Sequence, residues 1–282
     1  MNVGIGLPNT KHDITGEIMV TWARKADEGP FTSLGVLDRM VYQSTEPLMT
    51  LAAVAGVTQR VRLAATIIAA PLRNTVLLAK QAATLDLLSG GRLVLGVALG
   101  ARREDYEAVG AQYRGRARRF NEQLLTLRTF WEDHTAVGPR PVQSGGPPLL
   151  VGGMSDQTFA RVARYADGYI HGGGPPRAFA RAAQRARAAW EDAGRPGTPM
   201  LWGMAYFAFG KEAVEASRQY LLDYYAFTGP FARRIAEGLL TTPQAVRQFI
   251  RGYADAGCDE LILFPGVSDP EQLDRLADIL EG

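Results

Sequence analysis

The chain of 282 residues has a single cysteine, Cys258, so no disulfide can form within it, and one thiol with no cysteine or histidine close by in sequence is a poor start for structural zinc. Long apolar runs are also missing. Each is broken by a charge, glycine or proline well before the ~20 residues a spanning helix needs, and no charged segment followed by an apolar one opens the chain. Excess charge is the third absence: 31 Lys and Arg face 29 Asp and Glu, a formal charge of +2, which gives no electrostatic reason to expect nucleic acid or an anionic membrane. Nor do His-x-His or clustered His and Asp patterns occur at expected strand ends, which disfavours a metal-dependent hydrolase. The expectation is a cytoplasmic protein with no metal, membrane or nucleic-acid partner, acting on a small molecule.

With 46% hydrophobic residues the chain can bury a large core. Short β-rich runs recur at Val3 to Leu7, Leu34 to Leu37, Val61 to Ile68, Leu93 to Ala98, Leu149 to Val151, Gly168 to His171, Leu201 to Phe209 and Glu260 to Phe264. Between them lie helical periodicities: Glu17 to Glu28, Glu46 to Ala55, Val76 to Leu88, Arg118 to Glu132, Asp156 to Tyr165, Arg177 to Ala193, Glu212 to Tyr225, Pro243 to Ala256 and Pro270 to Leu280. Val61 to Ile68 and Leu93 to Ala98 are nearly continuously apolar toward their ends, as parallel strands covered on both faces are. Eight strand–helix units in one chain of this length predict an α/β protein with a single (β/α)8 TIM barrel. The first strand ends Gly4-Ile5-Gly6-Leu7-Pro8, without the phosphate-binding fingerprint of a doubly wound sheet. Thr242-Pro243 and Asp269-Pro270 read as helix starts and Ser89-Gly90-Gly91 as a helix stop, while Gly138 to Pro148 reads as a surface loop. Phe227 to Thr241 is the least regular stretch and is expected to be a lid or interface insertion.

A series of short motifs then becomes specific through order and spacing. They are Leu37-Asp38-Arg39-Met40, Thr58-Gln59-Arg60-Val61-Arg62-Leu63, Pro71-Leu72-Arg73-Asn74, Ala79-Lys80-Gln81-Ala82-Ala83-Thr84-Leu85-Asp86 and Leu88-Ser89-Gly90-Gly91-Arg92. Further on come Pro147-Pro148-Leu149-Leu150-Val151-Gly152-Gly153 and Ala166-Asp167-Gly168-Tyr169. Together the chain resembles the luciferase-like monooxygenase family over most of its length, least between Gly194 and Thr241. The resemblance implies a (β/α)8 fold, a reduced flavin (FMN) or the deazaflavin coenzyme F-420 across the barrel mouth, and hydride transfer or oxygen activation at its ring. It also implies a homodimer, for which Val76 to Leu88 offers an apolar face, and a separate flavin or deazaflavin reductase as partner.

Residue by residue, the resemblance places Thr66 and Ile67 at a non-prolyl cis peptide behind the ring, and Asp38 and Arg39 over or beside it. Arg39 could bind an anionic substrate; the plainer alternative is that Asp38 and Arg39 pair with each other at the rim. Gly96 and Gly100 are expected to let the cofactor approach the fourth strand closely, or simply to pack tightly. Gly152, Gly153, Met154 and Ser155 precede a helix whose first amides could take a phosphate, with Ser155 alternatively only its cap. Of the three histidines, His171 ends the sixth strand and is the candidate proton donor or acceptor, His12 could line the same mouth, and His134 is expected in solvent. The arginines Arg102, Arg103, Arg114, Arg116, Arg118 and Arg119 crowd a helix start, where their charge opposes the dipole and hints at a partner anion.

Two departures bear on the cofactor. Bacterial luciferases are expected, by resemblance, to carry a phosphate-binding arginine where this chain has Leu99, which tilts the reading toward coenzyme F-420, although Arg118 could substitute. Deazaflavin sugar-phosphate dehydrogenases are expected to have a histidine at Arg39 and an acid at Ala101, so that reaction is not expected here. The readings left open are F-420-linked hydride transfer, an FMN-dependent monooxygenase, and a non-catalytic flavin-binding subunit. Loops after strands one, two, six and seven would choose the substrate.

Overall fold

The computed structural model describes residues 1–132 and 138–282, so His134 lies outside the described residues. Eight parallel strands pair in chain order and the last closes on the first. They are β1 (Asn2–Gly6), β2 (Ser33–Val36), β3 (Arg62–Ala69), β4 (Leu93–Ala98), β5 (Leu149–Gly152), β6 (Gly168–His171), β7 (Met200–Phe207) and β8 (Glu260–Pro265). Around them run α1 (Gly16–Glu28), α2 (Pro47–Ala55), α3 (Thr75–Leu88), α4 (Arg103–Ala108), α5 (Arg116–Glu132) and α6 (Asp156–Tyr165). The ring is completed by α7 (Pro176–Asp192), α8 (Lys211–Tyr224), α9 (Phe231–Glu237), α10 (Pro243–Asp255) and α11 (Glu271–Glu281). The expected (β/α)8 barrel is what forms.

Local chemistry explains the boundaries. Thr15, Asn74 and Thr242 accept the amides of Ile18, Leu77 and Ala245, and Pro47 and Pro243 occupy first helical turns where their missing N–H costs nothing. The seventh strand, expected to reach Phe209, stops at Phe207: Ala208 donates instead to the Leu240 carbonyl, and Phe209 to the Gln272 side chain. Helices α4 and α9 were not expected, both being too short and too polar to show a periodicity. The stretch expected to be irregular, Phe227 to Thr241, holds α9 and ends in a bridge between Leu240 and Phe207.

Alternation along each strand sorts the core into two layers. Leu34, Leu63, Leu95, Val151, Leu201 and Leu263 face the helices, whereas Ala64, Val94, Leu150, Ile170, Trp202, Met204, Ile262 and Phe264 fill the barrel. Near the strand starts Glu260, 1% exposed, accepts the hydroxyls of Ser33 at 2.6 Å and Thr32 at 2.5 Å, so the buried carboxylate is hydrogen-bonded as it must be. Large inward residues on β8 are matched by glycines opposite: a Cβ on Gly6 would lie 2.1 Å from the Phe264 ring, and one on Gly35 2.8 Å from Ile262.

That matching gives a first prediction. Gly6→Val forces Phe264 aside and should destabilise the barrel by about 1–3 kcal/mol, whereas Gly172→Ala, with nothing within 4 Å of the added carbon, should leave stability unchanged. Urea unfolding of the two variants side by side checks both; equal midpoints would contradict the packing described.

Candidate functional site at the barrel mouth

The carboxyl ends of the strands converge on one face, where barrel enzymes place their chemistry. Its floor is set by β3. The Thr66–Ile67 peptide is cis, as the resemblance implied; the Thr66 hydroxyl donates to the Val36 carbonyl at 3.0 Å, and Ile67 stays partly exposed inside an otherwise buried strand interior. A Cβ at Gly96 would lie 2.4 Å from the Ala65 carbonyl oxygen and 3.0 Å from Ile67, and one at Gly152 would lie 3.2 Å from Ile67. The room beside Gly96 is taken by β3, the tight packing that was one of its two expected roles. Gly100, at φ +71°, packs against Ala69 in the same way. The joint result is an apolar shelf, Ile67, leaning over two glycine-bearing strands.

Beside the shelf, Gly153 (φ +135°), exposed Met154 and Ser155 lead into α6. Ser155 does not cap the helix; its hydroxyl pairs with that of Thr158 at 3.2 Å. Arg185 crosses this start, donating to the Met154 carbonyl and pairing with Asp156. A helix N-terminus flanked by a guanidinium suits an anion.

At the rim, Asp38 and Arg39 do not pair with each other, contrary to the plainer expectation. Arg73 grips Asp38 with two bonds of 2.6 and 2.9 Å while the Ala69 amide donates to the same carboxylate, whose side chain is 1% exposed. Asp38 is thus consumed as a buried strut. Arg39 donates to Glu104 at 2.7 Å and to the Tyr224 carbonyl at 3.0 Å, and lies over the rings of Tyr42 and Tyr224. It ties the β2 loop to α4 and α8.

His171, the expected proton donor or acceptor, points away from the mouth. Alternation turns it into the layer between β6 and α7, 1% exposed, with its ring edge-on to Phe179 and Nδ1 bonded to the Tyr169 hydroxyl at 3.0 Å. Burial lowers its pKa to about 4, so it is neutral at pH 7. His12 does reach the rim, 5.1 Å from the Tyr42 ring centre. The arginine cluster is largely absorbed within the chain: Arg116 stacks on Tyr113, Arg118 meets Glu122 at 3.6 Å, and Arg119 donates to the Gln112 and Arg114 carbonyls.

What the sequence reading missed is aromatic. Tyr206 rises from β7 inside the barrel and meets Phe264, Tyr220 and Tyr225; Tyr220 and Tyr224 descend from α8 and Tyr225 caps its end; Tyr42 closes the ring edge-on to Tyr224. The hydroxyls of Tyr206 and Tyr225 are 2.9 Å apart, and those of Tyr220 and Thr10 2.7 Å. Burial raises the pKa of all four α8 and β7 phenols, which stay protonated. The spacing of Tyr220 and Tyr224 by one helical turn was the available signal. Lys11, 4% exposed on the loop after β1, places Nζ over the Tyr220 ring with no hydrogen-bond partner.

The buried histidine yields a pH prediction. Its folded pKa lies below the ordinary 6.5, so between those values the unfolded chain binds a proton that the native one refuses, and stability falls as pH drops from about 6.5 toward 4. The loss should reach the order of 3 kcal/mol near the lower end. His171→Phe removes this component; parallel denaturation curves at pH 7 and 5 should show a smaller acid loss in the variant, and identical losses would refute the placement.

The architecture matches known proteins across its length. The monooxygenase RslO1 of Streptomyces bottropensis superposes with a TM-score of 0.82 at 22% identity, covering 99% of this chain and 97% of that one. A secondary alcohol dehydrogenase dependent on coenzyme F-420 superposes at 0.80 with 17% identity, covering 99% and 98%; at such identities the likeness is one of fold. Among curated proteins, an uncharacterised protein of Mycobacterium tuberculosis is 36% identical over 163 residues, 53% of this chain and 56% of its own length. A phthiodiolone/phenolphthiodiolone dimycocerosates ketoreductase of Mycobacterium bovis is 32% identical over 160 residues, 50% of this chain and 41% of its own. The chain thus matches about half the length of these curated relatives. The family model described as luciferase-like monooxygenase matches residues 1–277, and the chain belongs to that family.

Proposed function

We propose that this protein is an oxidoreductase that binds coenzyme F-420 at the barrel mouth and transfers hydride to or from a small organic substrate. The observation that carries the reading is Ile67: an inward, partly exposed apolar side chain at the head of β3, backed by Gly96 and Gly152, offers a shelf for a flat ring. The start of α6 at Gly153, Met154 and Ser155, with Arg185 beside it, fits the phosphate of such a cofactor. Leu99, half-buried against the core where an arginine is expected in FMN-dependent luciferases, favours the deazaflavin. The dehydrogenase and ketoreductase among the similar proteins are consistent with that chemistry.

When bound, the cofactor supplies a two-electron hydride donor or acceptor. The chain's own part is different. Asp38 and Arg73 hold the β3 end in place, and the hydrogen-bonded phenols of Tyr206 and Tyr225, kept protonated by burial, serve as hydrogen-bond donors toward a substrate above the shelf. The α8–α9 segment, including Phe227, serves as the lid that excludes water. Exposed Val76, Leu77, Leu87 and Leu88 on α3, with Met49 on α2 and Leu125 on α5, form the face through which two copies associate.

Equilibrium titration with F-420 and FMN, each oxidised and reduced, tests the assignment. Selective F-420 binding is expected, and Ile67→Glu, which sets a carboxylate on the shelf, should weaken it at least about tenfold. Selective binding of reduced FMN with oxygen consumption would replace the reading by a monooxygenase fed by a separate reductase; binding of neither would end it.

A further inference from the structure

Three cations meet the tyrosine cluster, and they are not balanced alike. Arg39 is matched by Glu104 at 2.7 Å, and Arg102, which lies 4.9 Å from the Tyr224 ring centre and 4.2 Å from that of Phe227, has Asp105 at 3.8 Å. Lys11 has no such partner. Its Nζ sits 2.8 Å from the centre of the Tyr220 ring with every hydrogen-bond position unfilled, although the residue is 4% exposed. The acids nearby are engaged elsewhere: Asp13 accepts from the Ser268 hydroxyl, and Asp223 accepts from the Tyr42 hydroxyl at 2.7 Å. The Tyr220 hydroxyl itself is paired with Thr10. A buried amine with no acceptor is unfavourable, and the Tyr220 ring and the charge of Asp13 offset only part of that cost.

We propose that Lys11 is the binding residue for the carboxylate of a small monoanionic substrate with a planar body. One unbalanced cation complements one negative charge. The walls, Tyr220 with Tyr206 at 6.3 Å and Tyr224 at 5.5 Å between ring centres, present aromatic faces and edges that favour a flat, unsaturated ligand. Arg39 and Arg102, each with a buried Nε lacking a partner, lie over the neighbouring Tyr224 ring. The loop is braced to deliver Lys11 here: Asn9 exchanges two bonds with Leu37, and the Lys11 amide donates to the Pro8 carbonyl. The proposal rests on the mouth being the active site, and it defines the substrate class for that site.

Burial disfavours the ammonium form of Lys11, and a carboxylate beside it would favour that form. Benzoate is the probe, benzamide its neutral counterpart, and inorganic phosphate a control for an anion without a planar body. Calorimetric titration of the full chain, with and without F-420 or FMN, should show saturable benzoate binding of roughly millimolar strength or better. Benzamide and phosphate should bind at least about tenfold more weakly, and Lys11→Met should lose roughly 10- to 100-fold for benzoate only. Lys11→Arg should retain benzoate binding, and Lys11→Gln covers the case of a methionine variant that does not fold. A melting temperature for Lys11→Met at or above the parent's shows that the amine does not hold the fold; a marked drop in both neutral variants makes Lys11 structural and overturns the proposal. Benzamide binding as well as benzoate, or benzoate binding unchanged in the neutral variants, overturns it as well. Benzoate binding that survives while neither cofactor binds would refute the cofactor reading alone.

Discussion

Closing eight parallel strands into a ring fixes an interior volume, and the side chains pointing inward must fill it without excess. Here the balance is struck between neighbours. Phe264 and Ile262 on β8 occupy the space left by Gly6 and Gly35, and Ile67 with the Ala65 carbonyl occupies the space left by Gly96 and Gly152. The glycines are therefore the complement of particular bulky partners, and the top layer of that packing doubles as the floor of the mouth. The shelf at Ile67 could not exist if β4 and β5 carried side chains at those heights.

Above this floor the rim is built from charge that is mostly spent on architecture. Asp38 belongs to Arg73, Arg39 to Glu104, and Arg102 to Asp105, joining the loops after β2, β3 and β4 into one network with α8 resting on it. Breaking one member of a buried pair such as Asp38 and Arg73 typically costs about 3–5 kcal/mol because a charge is left uncompensated. Charge that is committed in this way holds the rim together, and the Lys11 amine stands apart from it in making no hydrogen bond.

Much of the frame could be read from sequence because its causes are local. Alternation, proline at first turns and capping side chains located the strands and most helices to within a residue or two, and the ordered motifs carried the family and the cis peptide at Thr66–Ile67. Several of those motif residues turn out to serve the fold: Arg92 donates to the carbonyls of Ala55, Thr58 and Val61, and Asp86 accepts the amides of Val142 and Gln143. The site was harder. Whether His171 faces the barrel or the helices depends on one step of strand parity, and whether Asp38 meets Arg39 or Arg73 depends on loop geometry; neither leaves a trace in composition. Lys11 and the tyrosines come from β1, β2, β7 and α8, segments brought together only by ring closure.

The same closure sorts the aromatic residues by type. Five of the ten tyrosines, Tyr42, Tyr206, Tyr220, Tyr224 and Tyr225, gather at the mouth, while Trp22, Trp131 and Trp190 sit with the helices and Trp202 lies low in the barrel beside the level of Glu260. Their indoles, at Trp22, Trp131 and Trp190, are hydrogen-bonded to backbone carbonyls far along the chain or at helix ends. An event at the opening consequently reaches phenol rings first, while these three indoles are placed to follow the integrity of the helical shell.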